Sequence, residues 1–267
     1  MKCGQYDSIM RKYVTLIGCL FVAVLASGQA GDRAKTVVQR SIDHAGGWPA
    51  WMSTGTVQFR KTTTSYNADG SVKQTRVQFH RYVLHPSPRM RIEWEENGSK
   101  TALINNGRDA WKVVNGKAAT SQNDVNSARN STFGSHYVFN MPFKLMDPGV
   151  TLTWAGNERL ADGTMVDKVR VTYGPGVGDA GGMHTWTYYF DSKSARLVAN
   201  LLQYAPDRWD YTEYYDDRAV GALLLSTHRR GYDADAKGKR GPMQSQIWYE
   251  QIRVNEPIAD ALFQPPK

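Results

Sequence analysis

The residues able to do chemistry are few and scattered. The six histidines are His44, His80, His85, His136, His184 and His228. None shows the His-Glu-x-x-His spacing that sets two imidazoles and a base on one helical face. His80 and His85 lie an odd number of residues apart in a strand-like stretch, so their side chains point to opposite faces and cannot share a metal. Gly134-Ser135-His136 lacks the G-x-S-x-G frame of a nucleophile elbow. The glycine run at 174–182 lacks the Lys-Ser/Thr of a phosphate loop and opens no helix, which makes it a hairpin loop. No catalytic set, no metal site and no cofactor is expected from these residues.

One acidic cluster remains: Asp210, Glu213, Asp216 and Asp217, interleaved with Tyr211, Tyr214 and Tyr215. A carboxylate hydrolase would need such groups to converge. On a strand Asp210 and Glu213 face opposite ways, and the EF-hand frame is absent. A solvated strand running into a turn accounts for the cluster, with the hydrolase kept as a minor alternative. Aromatic residues on strand faces stand out more. Phe59, Phe79, Trp94, Trp111, Phe139, Phe143, Trp154 and Trp186 form the candidate ligand-binding set. They are either an ordinary core or the wall of an apolar pocket in a curved sheet that cannot fill its own concavity.

The elements that position them are mostly strands. Ala34, Val37, Val38, Ser41, Ile42 and Ala45 share one helical face, with Asp32 as N-cap and Gly46-Gly47 as the stop. From Thr54 the apolar period becomes two, broken by Asn67-Ala68-Asp69-Gly70, Pro86-Ser87-Pro88, Asn97-Gly98 and Asn115-Gly116. On the second strand Val77, Phe79 and Val83 fall on one side, with Gln78, His80 and Tyr82 on the other. Residues 121–138 are polar and read as a loop or irregular helix, either a flap over a pocket or a mere connection. Asn140 to Val150 carries Pro142, Pro148 and Gly149, and reads as a fixed corner anchored by Met141, Phe143, Leu145 and Met146. A second meander follows. Ala222 to Thr227 reads as a strand covered on both faces, and Leu262-Phe263 as a plug for one end of the core. The fold class is mainly β: a single curved antiparallel sheet or incomplete barrel wrapped around one or more helices.

The first thirty residues read as a targeting segment. Lys2, Arg11 and Lys12 precede the apolar run from Tyr13 to Ala26, which is short for a bilayer span, and Gly28 and Ala30 suit a signal-peptidase site. Met10 is an alternative start. Two other readings stay open: an uncleaved anchor, and lipidation at Cys19 through Leu16-Ile17-Gly18-Cys19. Cleavage after Ala30 would remove both cysteines, Cys3 and Cys19, and with them any disulfide or thiolate chemistry. Residues 31–267 then form one domain of an exported, periplasmic protein. The net charge of +8 is spread among acidic residues and reads as a mildly basic surface. Export argues against nucleic acid as a partner.

The leading helix, the long meander, the segment Pro142-Phe143-Lys144-Leu145-Met146-Asp147-Pro148-Gly149-Val150 and the closing Asp260-Ala261-Leu262-Phe263 resemble the periplasmic lipoprotein-localisation superfamily of LolA-like carriers and LolB-like receptors. The resemblance covers most of the chain in texture and is narrowest to an outer-membrane lipoprotein-sorting-like branch. It implies an incomplete barrel with helices in its mouth and an apolar cavity that shields lipid or lipoprotein acyl chains, without catalysis. The family's functional arginine is not placed on any residue of this chain. An envelope protein partner, peripheral membrane contact, and a structural module without a small ligand are the remaining expectations.

Overall fold

The structure is a computed structural model that describes residues 31–178 and 182–265. The targeting reading of residues 1–30 lies outside them. Helix α1 covers residues 31–44 and α2 is Gly47–Ser53. Strands β1 (Thr56–Tyr66), β2 (Val72–Val83), β3 (Arg89–Glu96), β4 (Ser99–Asn105), β5 (Ala110–Val114) and β6 (Lys117–Ala118) follow. Helix α3 is Gln122–Phe139, and a 3-10 turn at Phe143–Met146 leads to β7 (Val150–Arg159). The second meander is β8 (Met165–Tyr173), β9 (Thr185–Asp191), β10 (Leu197–Ala205), β11 (Arg208–Val220), β12 (Leu223–Ala234) and β13 (Arg240–Val254). A 3-10 turn at Asp260–Phe263 follows them.

The thirteen strands among the described residues belong to one antiparallel sheet in the order β6-β5-β4-β3-β2-β1-β13-β12-β11-β10-β9-β8-β7. The two meanders join at its centre, where β1 pairs with β13. The sheet is not closed: β6 and β7 are its two edges. The chain between those edges is α3 and the Asn140–Gly149 corner, so this segment spans the gap an unclosed barrel leaves.

Alternation decides the two faces. Val57, Phe59, Tyr82, Met90, Ile92, Leu103, Val169, Val171, Trp186, Tyr188 and Tyr249 point into the concavity. There they meet Ala34, Val38 and Ile42 of α1, Trp51 of α2, Tyr137 and Phe139 of α3, and Met141, Phe143 and Leu145 of the corner. The helical face read from residues 34–45 is buried throughout. Gly46 and Gly47 take positive φ (114° and 79°) and end α1. A Cβ on Gly46 would stand 2.4 Å from the Ala222 carbonyl oxygen, so only glycine lets α1 approach the β11–β12 turn.

Several expectations are corrected. Beyond the Gly46-Gly47 stop the chain does not pass straight to a strand: residues 47–53 form a second, short helix. Asp32 is itself helical, with Gly31 helical before it, so it is not the N-cap expected. Residues 122–139 form a regular helix capped by the Ser121 hydroxyl, which accepts from the Asp124 amide at 3.1 Å. Strand β12 runs to Ala234; over Leu223–Thr227 buried residues alternate with half-buried ones, so that stretch is not fully covered on both faces. Phe263 is fully buried, yet it plugs no core end. The Arg89 guanidinium lies 4.9 Å over its ring and Arg91 donates to the Leu262 carbonyl, and both arginines point away from the concavity.

Candidate functional site

The concave face is where the aromatic set was expected to gather, and most of it does. Phe59 stacks on Phe139 at 4.3 Å and on His80 at 4.7 Å. Phe143 stacks on Trp51 at 4.6 Å, and Trp186 on Tyr188 at 5.5 Å. Trp94 and Trp154 lie half-buried at the margins, each under an arginine: Arg76 over Trp94 at 5.6 Å and Arg33 over Trp154 at 3.7 Å. Phe79 and Trp111 are not part of this assembly. Cross-strand register puts Phe79 beside Glu93 and Ala102, on the opposite face of the sheet, and Trp111 beside Ile104 on that same face. Alternation along β2 was read correctly, but the buried side is the one bearing His80 and Tyr82.

The concavity is filled. A void between α1, the end of α3, the corner and β10–β12 measures about 30 Å³, room for no more than a few waters. Phe139, Met141 and Pro142 form its apolar side; His44, Arg196, Asp217 and Arg229 form its polar side. Arg196 is spoken for: it meets Asp217 at 2.7 and 3.2 Å and donates to the Tyr214 carbonyl. Arg229 is buried in mid-strand between the rings of Tyr214 (4.6 Å) and Tyr249 (4.9 Å). The sequence reading missed it. The signal was available in the alternation Leu223, Leu225, Thr227, Arg229, which carries an arginine to the inner face once β12 is extended past Thr227.

Helix α3 closes the mouth with modest means. Lys112 of β5 meets Asp124 at 2.7 Å, Asn105 of β4 donates to Thr132 at 3.2 Å, and Arg129 donates to the Arg108 carbonyl at 3.2 Å. At its far end the Tyr137 hydroxyl donates to that of Tyr173 on β8 at 2.8 Å. Its buried side is small and partly polar: Ala128, Thr132, His136, Tyr137 and Phe139.

His136 is 3% exposed, against Tyr82, and neither ring nitrogen has a hydrogen-bond partner. Burial, with Lys144 and His85 nearby, lowers its pKa to about 3. Burial likewise pushes His80 well below the usual imidazole range, reinforced by Lys61. The folded form therefore holds these rings neutral, while the unfolded chain binds protons below about pH 6.5. Stability is complete above that value and is lost as pH falls toward 3. Between pH 7 and pH 5 His136 alone should account for about 2 kcal/mol of lost stability. Urea unfolding at both pH values checks this: His136→Phe should show a visibly smaller drop than the parent.

The acidic cluster does not converge. Glu213 is held by Arg240 and Tyr215, Asp217 by Arg196, and Asp216 by His228 at 3.4 Å. Asp216 is left-handed (φ 54°), which breaks strand alternation at that point of β11. Asp210 is raised by burial and by Asp233 across the ladder. Among the described residues no group of three or more His, Cys, Asp or Glu could hold a metal. No described helix is long and apolar enough to cross a membrane. The basic run near Lys237 forms a tight turn in which Asp235 accepts from the amides of Lys237 and Lys239, and Arg240 leaves it for Glu213.

The outer face carries its own groove of about 590 Å³ over β2–β5, where Val77 and Phe79 are 38% and 47% exposed beside Arg81, Arg91 and Glu93.

No family model matches the chain, and no curated protein matches it. Solved structures do. A DUF1329 family protein from Desulfovibrio piger superposes with TM-score 0.56 at 12% identity, over 86% of this chain and 97% of its own. A LolA superfamily protein from Nitrosomonas europaea gives 0.54 at 12% identity, over 86% and 97%. A putative outer membrane lipoprotein-sorting protein domain from Vibrio parahaemolyticus gives 0.54 at 10% identity, over 88% and 97%. At these identities the likeness is one of fold. The chain shares the fold of these three proteins, an unclosed antiparallel sheet wrapped around helices.

Proposed function

We propose that this chain is a non-catalytic binding protein of the periplasm that takes an apolar ligand, a lipid or lipoprotein acyl chain, into the concave face of its sheet. The observation that carries the reading is the nature of what fills that face. Its mouth is occupied by one continuous segment, α3 and the corner, which crosses from one sheet edge to the other and inserts Phe139, Met141, Phe143 and Leu145. Phe59, Trp94, Trp154 and Trp186 would be the wall against which the ligand lies, with Phe139 and Phe143 moving aside. Phe79 and Trp111 drop out because they face outward. The sorting function named for the Vibrio parahaemolyticus domain supports the same ligand class. Residues 1–30 would deliver the chain to the envelope, and residues 31–267 would form the single binding domain.

Magnitudes set the terms of exchange. Exposing four large apolar side chains costs roughly 6–12 kcal/mol at about 1.5–3 kcal/mol each. An acyl chain regains about 0.8 kcal/mol per buried CH₂, so about eight to fifteen methylenes are needed to match it. Uptake should therefore depend steeply on chain length. Titration of lipid-depleted protein with saturated fatty acids should give one-site binding for sixteen carbons and none for eight. Absence of uptake at every length would refute the reading.

A second reading, an envelope docking module without a small ligand, is favoured by the packed interior together with the exposed Val77–Phe79 groove. The same titration separates the two.

A further inference from the structure

Arg229 presents a buried guanidinium with no ion-pair partner among the described residues. It is 5% exposed, and its Nε has no hydrogen-bond partner. The only carboxylate at the void, Asp217, is already bound by Arg196. Two tyrosine faces hold the guanidinium in place, an arrangement that favours a cation but supplies no acceptor for its N–H donors. Removing an arginine from water without acceptors is costly, and buried donors of this kind are normally satisfied. The guanidinium lines a void whose other side is Phe139, Met141 and Pro142, the residues that would move aside for a ligand. Polar floor and displaceable apolar plug therefore meet at one point.

We infer that Arg229 is the receptor for a single oxyanion, carboxylate or phosphate, carried at the end of an acyl chain, so that the ligand is an anionic amphiphile. This rests on the acyl-binding reading and adds the head group to it. A guanidinium presents paired donors that fit either oxyanion in a fork. A free anion does not suffice: a void of about 30 Å³ admits it only when the plug moves, and displacement of the plug needs the tail.

The test compares palmitate, hexadecyl phosphate, uncharged methyl palmitate and inorganic phosphate on the purified protein by calorimetry. The protein should favour the two anionic amphiphiles over methyl palmitate by at least about tenfold, the worth of one charge-assisted hydrogen bond. Inorganic phosphate should neither bind nor compete. In Arg229→Gln the preference ratio should fall to about one, and in Arg229→Lys it should fall only in part. Equal affinity for palmitate and its methyl ester would overturn the inference and leave acyl binding standing. So would effective competition by inorganic phosphate. Binding of none of the four would overturn both. The comparison on the unsubstituted protein decides the matter even if the variants fold poorly.

Discussion

Tethering α3 to the sheet is expected to abolish ligand uptake. The tether joins Asn105→Cys on β4 and Thr132→Cys on α3, in a background with Cys3→Ser and Cys19→Ser, through a short thiol cross-linker. The parent side chains touch at 3.2 Å and both are buried, so the link holds α3 where it already lies. If a ligand enters only when α3 lifts, apparent affinity falls in proportion to the open population. The cross-linked protein should bind palmitate at least about tenfold more weakly than the same protein left uncross-linked. Equal uptake by both would mean that α3 is a fixed wall, and the ligand, if any, enters elsewhere.

The second large effect is expected at the corner. Phe143 is almost fully buried, stacked on Trp51 at an interplanar angle of 9° and edge-on to Trp48 at 5.8 Å. It ties the corner to α2, and α2 packs on β12. Truncating such a residue removes its transfer energy and leaves a cavity, so Phe143→Ala should cost about 3–5 kcal/mol, read as a lower urea midpoint at unchanged slope. A loss below about 1 kcal/mol would show that the corner is not an anchor. Because Phe143 also belongs to the plug, the void left behind should lower the chain length needed for uptake.

These two positions divide what could be read from residue types alone. The strands were legible because antiparallel strands with one wet face write a period of two, and Asn-Gly pairs and glycines mark the turns. The corner was legible because two prolines and a glycine fix a bend while four apolar residues demand burial. Helix α3 was legible only in part, as a loop or an irregular helix. Its buried side uses Ala128, Thr132 and His136, which leave no apolar stripe to count, and its cap at Ser121 precedes a polar run that resembles a loop. That same poverty of apolar contacts fits α3 to be displaced.

The faces of β2 show a different limit. Alternation fixes which residues share a side but not which side is inner, and Phe79 is the more apolar choice where His80 is the buried one. His80 is tolerated because its Nδ1 meets the Tyr82 hydroxyl at 2.6 Å and its ring stacks on Phe59. Arg229 was hidden for a related reason. A charged residue in a strand is normally placed in water, and only its register with Tyr214 carries it inside. Phe263 looked like a core plug because nothing in Asp-Ala-Leu-Phe tells of the arginines on β3 that receive it on the outer face.

The central claim is that the ligand and the α3–corner segment compete for one space. Hydrogen exchange during palmitate titration measures this directly. Amides of α3 (Gln122–Phe139) and of the turn Phe143–Met146 should lose protection as ligand binds, while β1 and β13 at the sheet centre keep theirs. Saturating palmitate that leaves α3 protection unchanged, or raises it, would contradict the account.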